Sequence, residues 1–191
     1  RTDEYGGSLE KRARFACEII QGIRQRLGKD YPILIRLNAE DGFYHGTKIE
    51  HAIRFCQLFE EAGADGIDIS VGASEFSPYL IPCYLHPDGV FIHLCAAIKK
   101  AVNIPVITVG KIVDPFMAER ILAEGKGDFI GLGRGLMSDS HWAAKAKEGR
   151  HKEIVRCIAC LNCHGAYAKQ RRGMACTVNP AGRSVFTGFM S

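Results

Sequence analysis

No apolar run in this 191-residue sequence approaches the roughly 18 to 20 residues needed to cross a bilayer. No leader with a basic start and a short apolar stretch precedes the first helical pattern either, so no membrane association is expected. Charge of one sign is not in excess: 25 Lys and Arg stand against 21 Asp and Glu, a formal balance of +4. The basic residues are scattered along the chain, which argues against a nucleic-acid partner and leaves a small molecule as the expected one. A Gly-x-Gly-x-x-Gly turn is missing after the first predicted strand, against a dinucleotide-binding sheet. The sequence opens on Arg1 without an initiator Met and closes on Ser191 without a visible stop, and it is expected to be part of a longer protein. Cysteine, by contrast, is plentiful. Of eight, four crowd between Cys157 and Cys176, a pattern that points to a metal site in a reducing compartment, with the cytoplasm as the expected location.

The chain reads as one helix followed by strand and helix four times over. Ser8 is placed to cap a first helix whose stripe is Leu9, Ala13, Ala16, Ile20, Ile23 and Leu27, ended by Gly28. A strand follows over 32–38. Thr47-Lys48-Ile49-Glu50 has the spacing of a capping box for a second helix that ends at Gly63. Further strands are expected over 65–72, 106–109 and 129–132, with helices over 90–102 and from Asp114-Pro115 to about Gly125. Such alternation demands an α/β fold with a parallel sheet and right-handed crossovers. The segment from Ala73 to Gly89, with Tyr79, Tyr84 and His86, has no period and suits a loop that shapes a substrate pocket, although loop packing explains these residues as simply.

The strands over 106–109 and 129–132 are the organising pair. Both are short and rich in β-branched or apolar residues, as strands buried on both faces would be, and each stops at a glycine followed by a cation: Gly110-Lys111 and Gly133-Arg134. Glycine lets backbone approach an anion and the cation adds charge, so the matched pair reads as a phosphate cup of the kind built after the last two strands of an α/β barrel. Arg36, near the end of the first strand, needs a partner: an ion pair with Glu40 or Asp41, or an anionic ligand at the mouth of the sheet.

Cys157, Cys160 and Cys163 are separated by two residues each, and Cys176 returns after twelve intervening residues, just before Asn179-Pro180. Three thiolates so spaced can wrap one corner of an iron–sulfur cubane while a returning loop brings the fourth. A four-cysteine zinc site is the rival, though it more often uses two separate pairs. His164, beside Cys163, is an alternative third ligand. Cys17, Cys56 and Cys95 fall on helical stripes and read as core, and Cys83 lies in the loop.

Arg1-Thr2-Asp3-Glu4-Tyr5-Gly6-Gly7-Ser8-Leu9 with Arg12, the strand holding Arg36, Val109-Gly110-Lys111 and Leu132-Gly133-Arg134-Gly135-Leu136-Met137 together resemble the old yellow enzyme family of FMN-dependent oxidoreductases. The cysteine run resembles its iron–sulfur branch, which includes 2,4-dienoyl-CoA reductase, 2-enoate reductase and trimethylamine dehydrogenase. This resemblance implies a TIM (β/α)8 barrel, of which residues 1–150 would be the C-terminal half, strands five to eight, and residues 151–191 a cluster-binding segment. It implies that Arg36 stabilises reduced FMN, that Gly110, Lys111, Gly133 and Arg134 bind the FMN phosphate, and that Cys157, Cys160, Cys163 and Cys176 hold a 4Fe–4S cluster. FAD and NAD(P)H would be bound by a further domain, and the proton-donating tyrosine would lie in the first half of the barrel. The implied reaction is reduction of an activated C=C bond. Amine oxidation of the trimethylamine dehydrogenase type, and a metal-binding or electron-transfer module without turnover, are the alternatives.

Overall fold

The structure, a computed structural model, describes residues 1–73, 81–165 and 175–183. Phe76, Ser77, Pro78 and Tyr79 of the expected pocket loop lie outside the described residues. The N-terminal turn explains part of its own sequence: a Cβ on Gly6 would stand 2.2 Å from the Arg1 carbonyl oxygen, so only glycine closes it. Ser8 then caps α1 (Leu9–Leu27) by accepting the Lys11 N–H at 3.4 Å, and Gly28 ends the helix with a φ of 79°.

After α1 come β1 (Leu34–Asn38), α2 (Ile49–Glu61), β2 (Gly66–Ser70), α3 (Ile92–Lys99), β3 (Val106–Thr108), α4 (Pro115–Ala123) and β4 (Phe129–Ile130). Two short helices, α5 (Arg134–Ser138) and α6 (Trp142–Lys147), and 3-10 turns at His151–Glu153 and Pro180–Arg183 complete the described elements. The capping box does not form. Asp41 Oδ2 takes the Thr47 N–H at 2.6 Å, which binds Thr47 into the preceding turn and leaves Lys48 at the cap position with no side-chain bond. At α4 the expected cap is present, with Asp114 Oδ1 accepting the Met117 N–H at 2.9 Å.

The four strands are parallel and pair in chain order, β1-β2-β3-β4, with Arg36 opposite Asp68, Asp68 opposite Ile107 and Thr108 opposite Ile130. A doubly wound sheet reverses its strand order at a switch point; an order that never reverses is that of an arc of an α/β barrel. Burial on both faces, expected for the last two strands, holds only in part. Val106 and Thr108 of β3 are fully buried, but Phe129 of β4 is 58% exposed, as is Leu34 of β1, which lies on the face of the sheet opposite Ile35 and Leu37.

The chain divides into two compact units, one of Arg1–Leu80, Phe91–Val109 and Ile121–Gly131, the other of Ile81–Val90, Gly110–Arg120 and Leu132–Ser191. In the first, Ala13 and Ile20 of α1 pack with Phe59 of α2 and with Ile33 ahead of β1. The N-terminal ends of its strands repeat one device. Asp65 Oδ2 accepts the Ile33 N–H at 2.7 Å and meets Arg24 Nη2 at 2.6 Å; Asp128 Oδ2 accepts the Val106 N–H at 2.8 Å and meets Lys99 Nζ at 2.8 Å. Each time an aspartate leading one strand holds the first N–H of its neighbour and a cation from the helix that feeds that neighbour. In a barrel this end serves stability, and chemistry is left to the other.

Candidate functional site

Arg36 projects from β1 in register with Asp68 of β2, and its Nη1 meets Asp68 Oδ2 at 2.7 Å. The acidic partner thus comes from the adjacent strand, a pairing that register creates and sequence distance conceals. Asp41 is engaged otherwise, taking the Thr47 N–H and an Asn38 Nδ2 donor at 2.9 Å. The Arg36 side chain remains 63% exposed, so one edge of the guanidinium is held by a carboxylate while the rest is open to solvent or a ligand.

In the second unit the two glycine–cation pairs have different surroundings. Gly110 and Lys111 both have left-handed backbone, with φ of 129° and 56°. The first suits glycine; the second is uncommon for a side-chain-bearing residue and is held by two anchors. Lys111 Nζ donates to the His86 carbonyl at 2.5 Å and pairs with Asp88 Oδ1 at 3.0 Å, and the Lys111 carbonyl accepts the Gly89 N–H at 3.2 Å. Arg134 Nη1 donates to the Pro82 carbonyl at 2.7 Å. At Gly133, which precedes α5, an added Cβ would meet nothing within 4 Å, so the glycine borders open space. Both cations are therefore anchored on the segment 82–88. Cys83 and His86 close a tight turn there: His86 Nδ1 accepts the Cys83 N–H at 3.2 Å and lies 3.4 Å from Cys83 Sγ.

Cys157, Cys160, Cys163 and Cys176 line one small cavity that is partly open to solvent. The local backbone has the shape of a ligand loop. Ala159 and Leu161, residues that follow the first two cysteines by two and one positions, both have φ between 50° and 60°, at 52° and 60°. The Ala159 N–H turns back to Cys157 Sγ at 3.4 Å. The Cys160 thiol is pulled below its ordinary range, first by the Thr177 hydroxyl at 3.3 Å and then by the Asn162 backbone N–H. Burial pushes the Cys163 thiol up. His164 is not among the residues that line the cavity. Among the described residues no three His, Cys, Asp or Glu side chains converge on a point that would suit one ion.

Two supports of this loop were not legible as sites in the sequence. Asp139, 5% exposed, takes Lys145 Nζ at 2.6 Å, the His141 N–H at 3.0 Å and the Val155 N–H at 3.0 Å, the last only two residues before Cys157. Burial opposes its ionisation, but these donors outweigh it and hold the carboxyl below its usual range. Asn179 Nδ2 donates to the Met137 carbonyl at 3.0 Å and ties the returning loop of Cys176 to α5.

A parallel α/β sheet in barrel order in one unit, and in the other the anchored cations that follow its last two strands in the chain together with a four-thiol cavity, are the parts of a flavin-dependent oxidoreductase. Residues 1–153 match the NADH:flavin oxidoreductase / NADH oxidase family, and the chain belongs to it. The chain is 45% identical over 185 residues to an NADH oxidase of Thermoanaerobacter brockii, covering 96% of this chain and 28% of that protein. Among solved structures it is similar to a 2-naphthoyl-CoA reductase in complex with 2-naphthoyl-CoA, with a TM-score of 0.89 and 36% identity over 96% of this chain and 28% of that one. It is also similar to histamine dehydrogenase from Rhizobium sp. 4-9, with a TM-score of 0.85 and 29% identity over 96% of this chain and 26% of the other. The chain therefore spans little more than a quarter of the length of these proteins. Among the described residues no helix is long and apolar enough to cross a membrane.

Proposed function

We propose that residues 1–150 form strands five to eight of an FMN-binding (β/α)8 barrel and residues 151–191 a 4Fe–4S segment. The protein they belong to would use NAD(P)H, bound with FAD on a further domain, to reduce an activated C=C bond of an enoate or acyl-CoA substrate. The observation that carries this reading is the meeting of four cysteines on one cavity, in a chain of a flavin oxidoreductase family.

When bound, FMN supplies hydride chemistry and the cluster single-electron transfer. The donors present fit both groups. Four free thiols face one space, and Cys160 already has two hydrogen-bond donors that favour its thiolate. The spacing, three thiols separated by two residues each and a fourth on a returning loop, favours a cubane over a zinc ion, whose four cysteines more often come as two separate pairs. Open space beside Gly133 and the anchored charges of Lys111 and Arg134 suit a phosphate. Arg36, held at one edge by Asp68, would stabilise negative charge that develops on flavin reduction.

Iron, acid-labile sulfide, zinc and FMN measured on the anaerobically purified full-length protein test the reading. Iron and sulfide in equal amounts, FMN and no zinc are expected; zinc from iron-replete cells would overturn the cluster assignment. The likeness to histamine dehydrogenase makes amine oxidation the second reading. A full-length enzyme that oxidises amines and leaves enoates and enoyl-CoA thioesters untouched under NAD(P)H would decide for it.

A further inference from the structure

His86 stands in a turn that does more than pack a loop. The Lys111 ammonium and the Arg134 guanidinium, the two cations assigned to the FMN phosphate, find their anchors in one short segment of the second unit. Lys111 Nζ donates to the His86 carbonyl and pairs with Asp88 Oδ1 at 3.0 Å, and Arg134 Nη1 donates to the Pro82 carbonyl at 2.7 Å. Both carbonyls belong to the backbone, so the conformation of the segment is what places them. That conformation is closed twice between the same two residues. The His86 N–H donates to the Cys83 carbonyl at 3.1 Å, the bond of a four-residue turn, and the Cys83 N–H donates to His86 Nδ1 at 3.2 Å. An imidazole that accepts at Nδ1 is neutral and carries its proton on Nε2. The Cys83 thiol lies 3.4 Å from the same nitrogen. At the far end of the segment the Gly89 N–H donates to the Lys111 carbonyl at 3.2 Å and ties it to the left-handed Lys111 backbone.

Charge-assisted hydrogen bonds to a phosphate form at about 2.7 to 2.9 Å, so a cation helps only if its head group is held where the phosphate oxygens come to lie. A long side chain that is free loses rotamer freedom on binding, whereas an anchored one has lost it beforehand. The anchors leave donors over for a ligand: the Pro82 bond takes one of the five guanidinium N–H groups, and the Lys111 contacts take two of the three ammonium donors. We propose that His86 is a positioning residue for the flavin phosphate. Its ring holds the turn over 83–86, the turn sets the Pro82 and His86 carbonyls, and those carbonyls hold Arg134 and Lys111 in place for the phosphate. The inference rests on the reading of Lys111 and Arg134 as a phosphate cup. Because the ring acts through the turn and the two cations, its effect is confined to ligands that carry a phosphate.

The test compares FMN with riboflavin, which has the same ring system and no phosphate. Full-length protein, purified anaerobically and freed of flavin by dialysis, is titrated with each, and binding is read from the quenching of flavin fluorescence. His86→Ala deletes the acceptor, and it is expected to raise the FMN Kd about tenfold and to leave the riboflavin Kd in place. His86→Asn restores a side-chain oxygen that can accept the Cys83 N–H, and it is expected to recover most of the FMN affinity. Cys83→Ala keeps the backbone N–H and is expected to bind FMN as the wild type does. Unchanged FMN affinity in His86→Ala overturns the inference. A loss of FMN and riboflavin in equal measure overturns it too, because the turn would then support the flavin pocket as a whole. A loss in Cys83→Ala equal to that in His86→Ala takes the role from the ring and gives it to the thiol. Wild-type protein that binds FMN no more tightly than riboflavin refutes the phosphate cup itself, and that is seen before any variant is made.

Discussion

The cysteines of the two units differ in everything but their chemistry. Cys56 and Cys95 lie on α2 and α3 with no solvent exposure, and burial pushes their thiols up to about 12 and about 11. Cys17 and Cys95 spend their S–H groups on the carbonyls of Leu58 and Val109, each at 3.7 Å. In the second unit Cys157, Cys160 and Cys176 stand on irregular backbone and Cys163 in a helical turn over 162–165, and the four share a cavity with a cation. A helix that buries one face sends its cysteine into apolar surroundings, where the thiolate is disfavoured and the residue acts as a small hydrophobe. A loop with left-handed residues turns an N–H group toward the sulfur of Cys157 and a hydroxyl toward that of Cys160. Environment, then, sorts seven chemically identical residues into filler and site.

Metal retention should break the comparison most sharply. In the full-length protein, replacing Cys157, Cys160, Cys163 and Cys176 together by Ser should abolish iron and sulfide, whereas Cys56→Ala with Cys95→Ala should retain both in full. Iron surviving the first set, measured by elemental analysis after desalting, would show that the metal resides elsewhere.

Alkylation gives the next largest contrast. At pH 8 a thiol raised from 9.0 to about 12 has roughly a thousandfold less thiolate than an ordinary one, before any steric protection by burial. Iodoacetamide applied to the reduced, metal-free protein should therefore label Cys160 first and leave Cys56 and Cys95 unlabelled until the fold opens, as peptide mass mapping would read directly. Labelling of Cys56 at a rate like that of Cys160 under native conditions would mean that α2 does not hold its thiol in the core.

Much of this sorting was visible before the structure. The helical period placed Cys17, Cys56 and Cys95 inward because burial and period are the same fact on an amphipathic helix. The two-residue spacing brought three cysteines to one loop, and chain alternation dictated the parallel sheet. What the sequence hid was pairing across distance. Asp68 partners Arg36 only because β1 and β2 align at that register. Asp139 supports Val155 from sixteen residues away, and nothing in its spacing separates it from a surface carboxylate. Thr47 read as a cap because its neighbours fit the pattern, yet Asp41 had the shorter route to its N–H. The exposure of Leu34 follows from which face of the sheet packs on the helices, and strand composition does not report that.

Stability should sharpen the comparison from the other side. Cys56→Ala removes a fully buried sulfur from a packed face of α2 and should cost roughly 1 to 2 kcal/mol in urea unfolding. Cys160→Ala removes an exposed one and should cost little in the metal-free protein. A Cys160→Ala protein as destabilised as Cys56→Ala would indicate that the cavity loop is part of the packed core and not a ligand loop hung upon it.

The smallest expected effect is an acid-induced loosening of the cavity's support, and the single Trp makes it readable. Trp142 is buried, and its backbone N–H donates to the Asp139 carbonyl at 3.1 Å, so the residue sits beside Asp139 and its fluorescence reports those surroundings. The Asp139 carboxyl is held below the usual carboxylate range despite burial, by the Lys145 ammonium and two backbone N–H groups. A carboxyl depressed in the folded state contributes stability that is complete above its unfolded value and is lost as pH falls through the folded one. The Trp142 signal should accordingly hold constant down to about pH 4 and change below it. Asp139→Asn should remove that carboxyl's share of the pH dependence while the acid response of the first unit, where Asp65 and Asp128 are held down in the same way, persists in far-ultraviolet circular dichroism. If fluorescence and dichroism instead moved together in both proteins, the cysteine loop would not hang from Asp139, and the two units would lose their structure in acid as one.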